Sequence, residues 1–250
     1  VDLLLSEKNY ERAKSLLMPL ANHVEQEDIR SLHLGMYFDP WVVELHGSMF
    51  CEITDRINRV VKDVQSSIFK EGKIRPWKNE TSIISLPSPD NDCILVFTHF
   101  INHFFGEGIG LRQICDWCRL LWTFRNSIDL DILEARINKS GLMPEWKSFA
   151  ALAVNYLGMP AEVIPFYSSE KKWKRKANLV LSIIMRTGNF GHNNSYKIQS
   201  SLWIRKIRSF TRQTNNSIRL MCIFPYHSFC SWWRMTKNGL HLARGYYYDS

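Results

Sequence analysis

The sequence predicts an α+β fold: a small strand-containing piece followed by a mainly helical one. Two observations predict it. Up to about residue 90, short alternating or β-rich runs are interleaved with two amphipathic helical stretches. From residue 91 almost to the end, apolar residues recur at spacings of three and four, interrupted by Gly or Pro. Strands first and helices afterwards is the α+β order, and no repeat is visible.

The elements follow in order. Residues 1–5 (VDLLL) form a short apolar strand interrupted by Asp2. Ser6 is placed to cap a helix over 7–20, with Ala13, Leu16, Leu17 and Leu20 on one stripe. Residues 31–38 alternate through Leu32, Leu34, Met36 and Phe38. Asp39-Pro40 is a turn signal, and 41–49 is rich in β-formers, so the two runs read as an antiparallel hairpin. A helix over 52–68 carries Ile53, Ile57, Val60, Val61 and Val64 on one face. Residues 72–80 read as a polar connection, 81–86 as a short extended segment and 87–90 as a turn. Helices are expected over 91–105 and 111–125, separated by the glycine-rich turn GEGIG at 106–110. Further helices are expected over 130–140 and 145–157, each ended by Gly or Pro. Long basic helices are expected over 170–187, 196–212 and 228–243, with breaks at 188–194 and Pro225. These segments group into three expected domains: 1–80, 81–169 and a basic region over 170–250.

Composition narrows the classes. With 45% hydrophobic and 22% charged residues, the chain has enough apolar surface to fold, which excludes extensive disorder. No apolar run approaches the ~18–20 residues of a membrane span. Six cysteines with one close pair make no disulfide framework, so a reducing, cytoplasmic setting is expected. The net charge of +8 is unevenly placed: residues 1–169 carry −5 and residues 170–250 carry +13. A basic third of this kind suits an anionic partner or a solvated helical face. Lys171, Lys172, Lys174, Arg175 and Lys176 open one of its helices, and Arg205, Lys206, Arg208 and Arg212 lie along the next. Trp173, Trp203, Trp232 and Trp233 are interleaved with these cations. Such a mixture can stack bases and neutralise phosphates, although tryptophans at helical spacing more often anchor a core.

Several residues could carry chemistry. Asp2 inside an apolar strand is costly unless it pairs or holds a cation, or unless it lies at a frayed chain end. In VVELHG, alternation puts Val42, Glu44 and His46 on one strand face and Val43 and Leu45 on the other. That face is either an exposed polar surface or a carboxylate aimed into a site. Two carboxylates on separate strands of one sheet can converge on Mg²⁺, which prefers oxygen ligands. His99 and His103 share a helix face, but without a Glu after His99 they do not form the zincin pattern. They read as a packed, hydrogen-bonded pair near a helix end. Arg112 and Asp116, four apart, read as an ion pair. Cys115 and Cys118 have redox spacing in the middle of a helix, where it carries little. GEGIG lacks the Lys-Ser/Thr of a phosphate-binding loop and the preceding strand of a dinucleotide fingerprint.

The run CILVFTHFINHFFGEGIGLRQICDW, with WVVELHG and the opening VDLLLSEKNYERAKSLL, resembles a bacterial nucleotidyltransferase family, common in Bacteroidetes, of the polymerase β-like superfamily. The resemblance is carried by residues 1–125. It implies a polymerase β-like sheet with its hairpin, and a transfer of NMP from an NTP to an unidentified hydroxyl acceptor with Mg²⁺ or Mn²⁺. By the resemblance, Asp2 matches the second strand aspartate and Glu44 is the candidate third carboxylate, both of them metal ligands. His46, His99, His103, Arg112 and Asp116 are candidates for shaping the nucleotide or acceptor pocket. The superfamily's Gly-Ser turn and first aspartate would fall before Val1, so an N-terminally truncated chain, inactive as it stands, is expected. The alternative is a non-catalytic binding protein that holds an anionic partner on a degenerate scaffold.

Overall fold

Apolar alternation in the first fifty residues creates a sheet with one greasy face. The computed structural model describes residues 1–29, 31–51, 53–188 and 202–245. Its first strand, β1 (Asp2–Leu4), leads into α1 (Glu7–Leu17) and a 3₁₀ turn at Met18–Leu20. Pro19 enters that turn, so the α-helix ends three residues earlier than the apolar spacing predicts. Three strands follow: β2 (His23–Val24), β3 (His33–Phe38) and β4 (Trp41–His46). They form one sheet in the order β1-β4-β3-β2, with β1 parallel to β4 and the other pairs antiparallel. The hairpin expected around Asp39-Pro40 is therefore β3–β4, with Phe38 opposite Trp41.

Tyr10 of α1 is buried with Leu34, Met36 and Leu45, and Ala13, Leu17, Val24, Phe38 and Val43 pack around them. The Tyr10 hydroxyl donates to Glu27 at 2.8 Å, and Lys14 of the same helix also pairs with Glu27. Burial, and the Glu27 acceptor after it, raise the Tyr10 pKa well above its ordinary value.

α2 (Asp55–Glu71) follows, and then a hairpin of β5 (Ile74–Asn79) with β6 (Ser82–Pro87). The sequence reading of 72–80 as a polar connection is corrected here. β5 pairs along its whole length, from Ile74 opposite Pro87 to Asn79 opposite Ser82. The strand was hidden because a two-stranded ribbon is all edge: Pro76 is tolerated and neither face needs to be apolar.

The remaining helices are α3 (Pro89–Phe105), α4 (Leu111–Phe124), α5 (Leu130–Ser140), α6 (Met143–Tyr156), α7 (Lys171–Thr187), α8 (Leu202–Met221) and α9 (Pro225–Gly245). α5 starts where the Asp129 carboxylate accepts from the Ile132 N–H and stops at Gly141, which is left-handed at φ 81°. The helix expected over 196–212 lies outside the described residues at 196–201, and its described part runs on to Met221. Of the break expected at 188–194, Gly188 ends α7 with φ 66° and the rest lies outside the described residues. Among the described residues, no helix is long and apolar enough to cross a membrane.

The chain divides into two compact units, Val1–Phe50 with Asn58–Ser88 and Cys51–Ile57 with Pro89–Ser250. The second unit is built on an aromatic core. Phe97 and Phe100 of α3 meet Trp117 of α4 at 5.5 and 5.9 Å between ring centroids, and Phe97 meets Trp146 of α6 at 4.6 Å. Inside it lies a buried polar pair that the sequence does not reveal. His227 Nδ1 of α9 is 2.7 Å from Glu145 Oε1 of α6, with side chains 6% and 2% exposed.

The glycine-rich turn is held by the His103 carbonyl, which accepts from the N–H groups of Gly106 (3.1 Å) and Gly108 (2.8 Å). Gly108 has φ 100°, and a Cβ there would lie 3.2 Å from Thr187 Oγ1 and 3.3 Å from the Gly188 carbonyl. Gly108→Ala is therefore strained in both conformation and space. It should lower unfolding free energy by more than about 1 kcal/mol in a urea titration, whereas Gly158→Ala, also at positive φ but with open space around it, should cost less.

The tryptophans of the basic third divide. Trp173 is half-buried, with the ammonium groups of Lys172, Lys176 and Lys147 at 4.9, 5.7 and 5.8 Å from its ring centroid. Trp232 is half-buried and donates to Thr214, Trp233 is exposed, and the Trp203 side chain lies outside the described residues.

Candidate metal centre

Strand register decides which side chains share the polar face of the sheet. Asp2 is the register partner of Glu44 across the parallel β1–β4 pair, and Gly35 is its partner on the other side. Register partners project to the same face of a sheet, as do residues two apart on one strand. Asp2, Glu44 and His46 therefore share the face opposite Leu45 and the Tyr10 core. His33, opposite His46, joins them.

The geometry on this face is close. His33 Nε2 lies 3.2 Å and His46 Nε2 3.7 Å from the same Glu44 oxygen. The two imidazole rings are 4.7 Å apart. One ligand atom from each of His33, Glu44 and His46 lies within 4.8 Å of the others. Gly35 leaves room beside Glu44, and the Glu25 carboxylate fills it: a Cβ on Gly35 would meet Glu25 Oε2 at 2.5 Å. Glu25 is held there by the Tyr37 hydroxyl at 2.7 Å. Hydrogen bonding to Glu25 raises the Tyr37 pKa.

Glu44 holds the proton on His33. Its hydrogen bond raises the His33 pKa against a lowering by burial, and the charges of Glu44, Glu25 and Asp28 add to the rise. A histidine whose folded pKa is raised contributes stability that is fully present below its ordinary value of 6.5 and is lost as pH rises through the folded value. The pair is partly exposed, so the increment is at most about 1 kcal/mol. Urea unfolding at pH 6 and pH 8 should show wild type losing more stability across that interval than His33→Ala. Equal losses would mean that the Glu44 contact contributes nothing in solution.

A divalent cation fits the donor set of His33, Glu44 and His46, whose two imidazoles beside one carboxylate favour Mn²⁺ over Mg²⁺. Asp2 is the register partner of Glu44 and is not a member of that group.

The other sequence candidates lie in the second unit. His99 and His103 are adjacent on α3 with ring centroids 4.8 Å apart. His99 is exposed and its ring meets that of His103 edge-on, and among the described residues no third ligand joins the pair in a metal-binding group. Arg112 and Asp116 of α4 are both exposed, and the ion pair expected between them is not formed. Burial, together with the neighbouring Cys115, pushes the Cys118 thiol up to about 12, which suits a core residue and not a redox nucleophile.

His33 and Glu25 escape the sequence reading. The signal for His33 was present: if Leu32, Leu34, Met36 and Phe38 face the core, His33 faces away from it. The turn at 39–40 then sets it opposite His46. No local signal marks Glu25, which comes from the segment after the two-residue strand β2.

Residues 1–158 match the model of a family described as uncharacterised nucleotidyltransferase. The chain belongs to this family. The match takes in the sheet, the glycine-rich turn and the helices α3 to α6, and so extends past the segment that carries the sequence resemblance. Both Asp2 and Glu44 lie inside the nucleotidyltransferase match, and α7 to α9 lie outside it. No curated protein and no solved structure matches the chain.

Proposed function

We infer that the protein transfers a nucleoside monophosphate from a nucleoside triphosphate to a hydroxyl acceptor, and that the Asp2–Glu44 face is part of its active site. One observation carries this reading. In a chain of nucleotidyltransferase family, two carboxylates on different strands are register partners across a parallel pair. Asp2 and Glu44 would hold Mg²⁺ or Mn²⁺, with His33 and His46 beside Glu44 as nitrogen donors. A dication at such a face neutralises triphosphate charge and acidifies the acceptor hydroxyl. Glu25, held by Tyr37, adds negative charge next to Glu44 and raises the face's attraction for cations. His99, His103, Arg112 and Asp116 are proposed as determinants of nucleotide or acceptor binding.

A second reading is favoured by the contacts of Glu44. A carboxylate flanked by two imidazoles is satisfied without a cation, as on a scaffold that binds an anionic partner and performs no transfer. Pyrophosphate release from an NTP by the protein, with Mg²⁺ or Mn²⁺, separates the two. Release that disappears on chelation supports transfer, and no release with any of the four NTPs supports the binder.

A further inference from the structure

The second unit contains a pocket of about 440 Å³ to which nucleotidyl transfer assigns no role. Arg186 and Thr187, at the end of α7, form one side. α8 supplies Arg208, Arg212 and Arg219, with Thr211, Asn215 and Asn216 between them. The α8 positions step by three and four residues, so they form a single helix face. At 1.5 Å per residue that face is about 16 Å long. None of the described lining residues is acidic, and α8 contains no Asp or Glu at all.

Four guanidinium groups directed at one concavity repel each other, and an anion seated among them relieves that repulsion. The planar fork of arginine matches phosphate oxygens two at a time, and the Asn amides are further hydrogen-bond donors. The length of the face selects among phosphate ligands. A single triphosphate reaches about one helical turn, whereas arginines spread along about 16 Å can meet successive phosphates of a chain. The pocket also adjoins the glycine-rich turn, since Gly108 abuts Thr187 and Gly188.

We propose that the Arg186–Arg208–Arg212–Arg219 pocket binds the phosphate backbone of a nucleic-acid strand. This inference stands apart from nucleotidyl transfer, because it concerns binding and needs no metal.

The test is fluorescence anisotropy of labelled single-stranded RNA and DNA with the full chain in EDTA, at about 50 and 200 mM salt. Four phosphate contacts on a single strand predict a log–log salt slope near −3, at about 0.7 per contact. Arg208→Ala/Arg212→Ala should weaken binding at low salt at least about tenfold and flatten the slope by about 1.4. These side chains are exposed, so the fold should survive, which far-UV circular dichroism checks. Lys171→Ala/Lys174→Ala/Arg175→Ala removes more charge from an exposed site elsewhere and should cost much less. No binding at low salt overturns the proposal. So does an equal loss in the two variants, which would mean that net charge alone attracts the strand. Full displacement by equimolar tripolyphosphate would assign the pocket to a small polyanion, and preferred binding of anionic vesicles would assign it to a membrane surface. Either result also overturns the proposal.

Discussion

Glu44→Gln should lower the rate of nucleotidyl transfer by about 10²–10³, the equivalent of several kcal/mol of lost charge stabilisation. The substitution keeps the size of the side chain and removes its charge. The strand should persist, because β4 is held by its ladders to β1 and β3 and by Leu45 in the core. Glu44 sits where the face converges: register partner of Asp2, and within 3.2 and 3.7 Å of two imidazoles. Neutralising it removes a ligand charge and also the anion that holds the proton on His33. Two effects should therefore appear together, a loss of turnover and a His33 that titrates nearer its ordinary range. Turnover within threefold of wild type would exclude Glu44 from the reacting centre.

Glu145→Ala should cost about 3–5 kcal/mol of unfolding free energy, the usual penalty for breaking a buried polar pair by removing one partner. Glu145 and His227 are both almost wholly buried, and beyond their 2.7 Å contact Glu145 Oε2 and His227 Nε2 are buried without a hydrogen-bond partner. Removing the carboxylate leaves the imidazole unsatisfied among Phe105 and its neighbours. Replacing both at once, as in Glu145→Leu/His227→Phe, removes the desolvation cost with the contact and should be much less damaging than the single change. Denaturant midpoints of the two singles and the double, with m-values, decide it. A double that loses the sum of the singles would show that the pair is not coupled.

The legibility of these features in the sequence follows the range of the forces that make them. The polar face of β4 was readable because strand alternation is local: Val43 and Leu45 point to the core, so Glu44 and His46 cannot. That Asp2 and Glu44 lie on separate strands of one sheet was expected, but their parallel register was not, since pairing across forty residues has no local signature. Of the β5–β6 ribbon, β6 matches the extended segment expected at 81–86, whereas β5 was missed because that exposed strand carries no apolar alternation. Arg112 and Asp116 have ion-pair spacing, yet an exposed pair gains little in water and does not form here. Glu145 and His227, eighty-two residues apart, meet only because α6 and α9 pack in one core. The α8 arginines were visible as charge, but the face they share with Arg186 requires the placement of two helices.

Binding of Mn²⁺ to the chain, followed by the electron paramagnetic resonance of the free ion, tests the central claim most directly. The account predicts one site per chain that Mg²⁺ competes for more weakly, with affinity rising from pH 6 to pH 8 as His33 gives up its proton. Asp2→Asn and Glu44→Gln should each weaken it at least about tenfold, and His99→Ala/His103→Ala should leave it unchanged. Binding that survives Asp2→Asn and Glu44→Gln together, or is lost only with the α3 histidines, would contradict a metal centre on the β1–β4 face.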